Sequence, residues 1–138
     1  MKATILSRMG QFQEALNMFQ AIEGERVYSD EPTLIIQHGI QFALTKDTIQ
    51  ARRKWERALS IHHKEYLKTP NVYHLSGMLA LTRILKGKTA TQQCLQSHKA
   101  NLSKEDQVLI ERTADVLLRN TDKEVMSSFL NMVLWGQR

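Results

Sequence analysis

The fold of this chain is decided by residues 33–61, TLIIQHGIQFALTKDTIQARRKWERALSI. In the first half of this stretch, Ile35, Gly39 and Phe42 are spaced by four and then three residues, which places them on one face of a helix. The second half repeats the spacing with a small, an aromatic and a small residue: Ala51, Trp55 and Ala58. Small residues let two helices approach closely while an aromatic ring fills the space beside them. The stretch therefore predicts an antiparallel pair of helices.

Similar patterns of residue spacing occur before and after this pair of helices. The earlier copy has the same spacing in Ala15, Phe19 and Ile22. A weaker copy follows, with Tyr73, Gly77 and Ala80 and then Ala90, Cys94 and Ser97. The pattern resembles the tetratricopeptide repeat, a helix-turn-helix unit of about 34 residues. The resemblance implies an all-α array of about eight helices in antiparallel hairpins, in which residues such as Gly39 and Trp55 are packing residues.

The repeat phrases also suggest how the chain is organised. We expect one domain over residues 1–138, because a chain of this length can bury a single core. Within it we expect a truncated repeat over 1–30, a well-formed repeat over 31–68, a degenerate repeat over 69–100 and a C-terminal helix pair over 101–138. The incomplete first repeat and the short ending after the last helix would fit either a fragment of a longer protein or a small protein that dimerises.

Cap residues predict where the helices begin. Ser29 or Asp30 followed by Pro32 suits the first turn of one helix. The other predicted starts are Thr45 or Asp47, Thr69 with Pro70, Thr89 with Gln92, Ser103 with Asp106, and Thr121 with Glu124. Gly87 is expected to close the helix that precedes it.

Composition narrows the class of protein. The chain is 42% hydrophobic and 24% charged, which is typical of a globular protein. The single cysteine, Cys94, excludes an internal disulfide and a cysteine zinc site, and no apolar run predicts a signal peptide or a membrane span. We therefore expect a cytoplasmic protein with no membrane association. A net charge of +5 favours acidic partners without identifying one.

No pattern predicts catalysis. The five histidines, His38, His62, His63, His74 and His98, have no metal-ligand spacing. Cys94 has no companion that would make it a nucleophile, and the sequence has no glycine-rich phosphate loop or nucleophile elbow. We expect neither enzymatic activity, nor a metal, nor a cofactor.

The resemblance places a partner-binding groove along the first helix of each repeat. Its lining is mainly apolar and would suit an amphipathic helix or an extended apolar segment of another protein. The alternative is that the C-terminal helices cover the same residues. The predicted lining is Arg8, Ile36, Ile40, Ala43, His74, Met78 and Leu81.

The last helix is apolar around most of its circumference. Terminal repeats normally keep a polar outer face, so this helix is either part of the core, or paired with a second copy, or continued in a longer chain. The residues that would form a self-association surface are Phe129, Met132, Val133 and Trp135.

A basic run, Arg52, Arg53, Lys54 and Arg57, lies away from the packing face of its helix and continues towards Lys68. It would either contact an acidic partner, or bind phosphates, or form an ordinary solvated face, which is the favoured interpretation. Protein binding is the function that the sequence favours, in an adaptor, a secretion-type chaperone, or an assembly or sensory domain of a bacterial regulator. The alternatives are a nucleic-acid-associated regulatory protein and a self-associating scaffold.

Overall fold

A computed structural model of the chain describes residues 12–25, 28 and 31–135, which are helical and contain no strand. The predicted all-α class is confirmed for this part of the chain. A helix expected over residues 1–9 lies outside the described residues. The described helices are α1 (Phe12–Ile22), α2 (Pro32–Leu44), α3 (Thr48–Lys68), α4 (Val72–Lys86), α5 (Lys88–His98), α6 (Lys104–Arg119) and α7 (Asp122–Trp135), with a 3-10 turn at Lys99–Asn101 between α5 and α6.

Side-chain caps begin three helices where the sequence predicted them. The carboxylate of Asp47 accepts a hydrogen bond at 3.2 Å from the backbone amide three residues on, at the start of α3. Ser103 Oγ does the same at 3.2 Å for α6. Thr121 and Glu124 form a reciprocal capping box before α7, with hydrogen bonds of 2.9 and 3.1 Å. The hydrogen bonds with the backbone and the side chain of Thr121 lower the pKa of the Glu124 carboxyl, and the bond with the backbone has the larger effect.

Three other predictions of helix caps are wrong. Helix α2 begins at Pro32, but the side chain of Glu31 caps it, rather than Ser29 or Asp30. Helix α4 begins two residues later than the Thr69–Pro70 pair suggested, because the side chain of Asn71 caps it instead. Helix α5 begins directly after Gly87, so Thr89 and Gln92 do not form a capping box. Gly87 has a φ of 93°, which a side chain rarely allows, and it both ends α4 and precedes α5 without a linker.

The chain divides into two compact units. The first consists of Met1–Ala58 and Met126–Arg138, and the second of Leu59–Val125. The division falls inside α3 and inside α7, so it does not coincide with the predicted repeat segments 31–68 and 69–100. Each unit has buried residues of its own, described in turn below.

In the first unit, α3 packs against α2 through Trp55 and Gly39. A Cβ atom at Gly39 would collide with the Trp55 indole, so the missing side chain lets the ring lie against α2. The indole Nε1 donates a hydrogen bond to the carbonyl of Ile36 at 3.2 Å. From α7, the ring of Phe129 meets the indole edge-on, with 5.1 Å between centroids. This contact is the packing that the sequence predicted for the Gly39 and Trp55 positions.

A buried aromatic cluster surrounds His38 in the same unit. Its imidazole stacks between the rings of Phe19 and Phe42, with centroids 5.2 and 4.8 Å away. Its Nδ1 lies 2.6 Å from the hydroxyl oxygen of Tyr28. Burial lowers the pKa of His38 to about 4 and raises the pKa of Tyr28 to about 12. Both side chains are therefore uncharged at neutral pH, and His38 is a core residue.

In the second unit, α4 packs against both α5 and α6. The buried residues of this core come from α3, α4, α5 and α6, together with one residue just before α6. They are Tyr66, Leu75, Met78, Leu79, Leu95, Leu102, Ile110 and Ala114.

Gly77 on α4 occupies the position of Gly39 in the weaker repeat pattern, but a different kind of side chain packs against it. A Cβ atom there would lie 2.5 Å from Nε2 of His62, so it is the His62 imidazole that fills this space. In the weaker repeat pattern Cys94, on the helix that follows, aligns with Trp55, but a cysteine is too small to fill the space that Trp55 fills. In the structure, the space beside Gly77 is filled by His62 from α3, the helix that precedes α4.

Arg83 holds the junction between α6 and α7 within the second unit. Its guanidinium donates to the carbonyls of Leu117 at 2.8 Å and Asn120 at 3.0 Å, and to the carboxylate of Asp122 at 2.6 Å. Carbonyls at the end of a helix lack helical partners, and a planar guanidinium supplies several donors at once. Arg83 is therefore buried without an unpaired charge.

Candidate functional site

The predicted groove residues on α2 belong to the interior. Ile40 is fully buried, Ile36 is buried and Ala43 is partly exposed. Arg8, the first predicted groove residue, lies outside the described residues. A partner could reach Ile36 and Ile40 only if the helices around them separated, so binding at these positions stays a prediction.

The predicted groove residues on α4 are also mostly covered. Leu81 is fully buried and Met78 is buried in the core of the second unit. His74 is partly exposed, and its Nδ1 lies 2.9 Å from Nδ1 of His62. The alternative that these apolar residues are core agrees with their burial.

The basic residues of α3 divide into two kinds. Arg52, Arg53 and Arg57 are exposed. Lys54 is partly buried and pairs with Glu23, whose carboxylate oxygen lies 2.5 Å from the ammonium nitrogen. This hydrogen bond is the main cause that lowers the pKa of Glu23. The charge of Lys54 is therefore largely balanced inside the first unit, and the three arginines carry what remains of the predicted basic face.

The predicted self-association surface on α7 is described at one residue. Phe129 is only 7% exposed and packs against Trp55, so it is part of the core of the first unit. For this residue the structure agrees with the alternative that the last helix is core. The side chains of Met132, Val133 and Trp135 lie outside what the structure describes.

An exposed apolar stripe on α6 was missed in the sequence. Val108, Leu109 and Val116 are 49%, 48% and 43% exposed, although α6 buries Ile110 and Ala114 on its other side. On a helix of 3.6 residues per turn, the three exposed residues fall within an arc of about 100°. The signal was present in the sequence, because an apolar residue at 108, 109 or 116 does not fit the face that contains 110 and 114. We call these three residues the α6 stripe.

A cavity of about 360 Å³ opens between α3, α4 and α5 in the second unit. The α3 and α4 side chains that line it are Leu59, His63, Met78, Thr82 and Lys86. Those of α5 are Ala90, Gln93, Cys94, Ser97 and His98. The rings of His63 and His98 lie 5.5 Å apart between centroids. Burial raises the pKa of the Cys94 thiol and lowers the pKa of His98.

The described residues offer no group of three histidine, cysteine, aspartate or glutamate side chains placed to hold a metal ion. In the same part of the chain, every helix is too short or too polar to cross a lipid bilayer. No protein-family model, curated protein or solved structure matches this chain.

Proposed function

We propose that this chain is a protein-binding module that holds an amphipathic helix of a partner against the α6 stripe. The observation that carries the proposal is the exposure of Val108, Leu109 and Val116 on a helix whose opposite face is already buried. Single exposed apolar residues are common on protein surfaces, but a run of them along one helix face is typical of an interaction site. Helix-on-helix packing buries such a stripe efficiently.

Charges beside the stripe indicate which partner it suits. Arg112 is exposed and falls between Val108 and Val116 along the same face, where the carboxylates of Glu105 and Asp115 are also exposed. A partner helix with apolar residues at spacings of three and four, and with an acidic residue facing Arg112, would complement both features. An adaptor, a chaperone and an assembly domain of a regulator are all compatible with this function.

The test begins with a displayed library of amphipathic helical peptides, selected on the wild-type chain. The selected peptides are then titrated against a variant that carries Val108→Glu and Val116→Glu. We expect the variant to lose about tenfold or more in affinity, which corresponds to about 1.4 kcal/mol. Circular dichroism verifies that the variant stays folded, as expected for two exposed positions on a helix.

Lys104→Glu provides a matched control, because residue 104 is exposed on α6 but lies outside the α6 stripe. It should change affinity less than about twofold. Equal binding to the stripe variant and to wild type would overturn the proposal. Affinity that falls steeply with salt and depends on Arg52, Arg53 and Arg57 would favour the nucleic-acid alternative, because phosphate contacts release counterions.

A further inference from the structure

The cavity between α3, α4 and α5 has the wall chemistry of a binding site. Part of its lining is apolar, since it includes Leu59, Met78 and Ala90, of which Met78 belongs to the core of the second unit and Leu59 packs against that core. Hydroxyl and amide groups of Thr82, Gln93 and Ser97 complete the walls. A volume of about 360 Å³ lies at the small end of the range for ligand pockets. Apolar walls with a few polar groups are what such pockets share.

The lining includes a positively charged side chain and no negatively charged one. It contains the ammonium of Lys86 and two imidazoles, and no carboxylate. Burial lowers the pKa of His98, so this ring is uncharged at neutral pH and acts as a hydrogen-bonding group. The side chain of Lys86 is exposed but contributes to the lining, and its positive charge favours an anion there.

We propose that this cavity binds a small carboxylate with an apolar tail, its carboxylate at Lys86 and the imidazoles and its tail against Leu59 and Met78. The proposal concerns a different surface from the α6 stripe, because no residue of α6 lines the cavity. Each can therefore fail while the other stands. An uncharged molecule of the same shape would gain the apolar contacts but not the attraction of Lys86.

Cys94 makes the test specific, since it is the only cysteine of the chain and lies in the cavity wall. The rate at which iodoacetamide alkylates Cys94 is measured in the presence of octanoate at increasing millimolar concentration. Octanoate should slow alkylation in a saturable manner. Octanamide, which has the same tail without the charge, should protect about two- to fivefold less effectively, the range expected for one exposed charge pair.

Two variants separate the cavity from general surface charge. Lys86→Met should remove the preference for octanoate over octanamide, whereas Lys88→Met, at an exposed lysine outside the lining, should leave it unchanged. Circular dichroism of both variants verifies their folding. Three results would overturn the proposal: no protection by octanoate, equal protection by octanamide, or a preference for octanoate that survives in Lys86→Met.

Discussion

The Trp55 indole packs directly against the backbone of Gly39 and occupies the volume that a side chain at residue 39 would need. The same position lies 3.2 Å from the backbone carbonyl of Ala51, so a Cβ atom would meet both a buried ring and a rigid backbone. The separation of α2 and α3 in the first unit is therefore set by a residue without a side chain.

Gly39→Ala should destabilise the chain by about 1–2 kcal/mol net. The Cβ atom would overlap the Trp55 indole, so the overpacking cost of about 2–3 kcal/mol exceeds the gain of about 1 kcal/mol in helix propensity. Gly24→Ala is the matched control, because nothing lies within 4 Å of a Cβ atom there. Urea unfolding of both variants measures the difference. If the two alanine variants were equally stable, the close contact at Gly39 would not limit the packing of α2 on α3.

Phe129→Ala should cost about 3–5 kcal/mol, because it removes a buried ring that packs against Trp55. Ile49→Ala, at a residue that is 67% exposed in the same unit, should stay within about 0.5 kcal/mol of wild type. Light scattering at low and high protein concentration should give the same molecular mass for wild type and Phe129→Ala. A variant of unchanged stability but lower mass would instead identify Phe129 as an interface residue.

Arg83 should matter more than the carboxylate it pairs with. Arg83 is 2% exposed and Asp122 is 89% exposed, so solvent screens the ion pair while the hydrogen bonds to the Leu117 and Asn120 carbonyls are shielded. We expect Arg83→Lys to cost about 2–3 kcal/mol, because a lysine cannot reach these acceptors together. Asp122→Asn should cost less than about 1 kcal/mol. Equal losses in thermal or urea unfolding would show that the ion pair dominates.

His38 should make the chain sensitive to acid. Its pKa is about 4 when folded, against an ordinary value of 6.5, so the unfolded chain binds more protons between these two pH values. Stability should fall by about 3 kcal/mol as pH is lowered from 6.5 to 4. A double variant with Tyr28→Phe and His38→Phe removes this contribution without leaving the tyrosine hydroxyl unpaired.

Urea unfolding of wild type and of this double variant between pH 4 and pH 7.5 measures the contribution of His38. Other groups titrate in both proteins, so the difference between the two pH profiles isolates the histidine. Stability that declines with the same slope in both proteins would contradict the assignment of His38 as a buried, neutral residue.

Local sequence patterns predicted much of the helical structure. Asp47, Ser103 and the pair of Thr121 and Glu124 each satisfy backbone amides within one turn, so their role does not depend on distant residues. The errors at Thr69 and Thr89 arose where a second cap candidate, Asn71 or Gly87, stood nearby. Several residues offer similar local hydrogen bonds at such places, and packing decides among them.

The candidate sites were less predictable. Spacing shows that Ile40 and Leu81 lie on apolar faces, but an apolar face looks the same in sequence whether it is buried or open. The structure buries both. The spacing of the α6 stripe was visible in the sequence, but whether a neighbouring helix covers the stripe, and where the cavity at Lys86 opens, depend on how the helices pack.

Sequence patterns alone were enough for the all-α class of the described residues, for most helix limits and for the packing of α2 against α3, because helical periodicity and capping act over a few residues. Only the tertiary structure decided that His62 rather than Cys94 fills the space at Gly77, and that Arg83 caps carbonyls more than thirty residues away. The His62 contact joins two consecutive helices, whereas the Arg83 contacts join α4 to the end of α6 and the residue after it. Their geometry depends on how whole helices pack, which the order of residues along one helix does not specify.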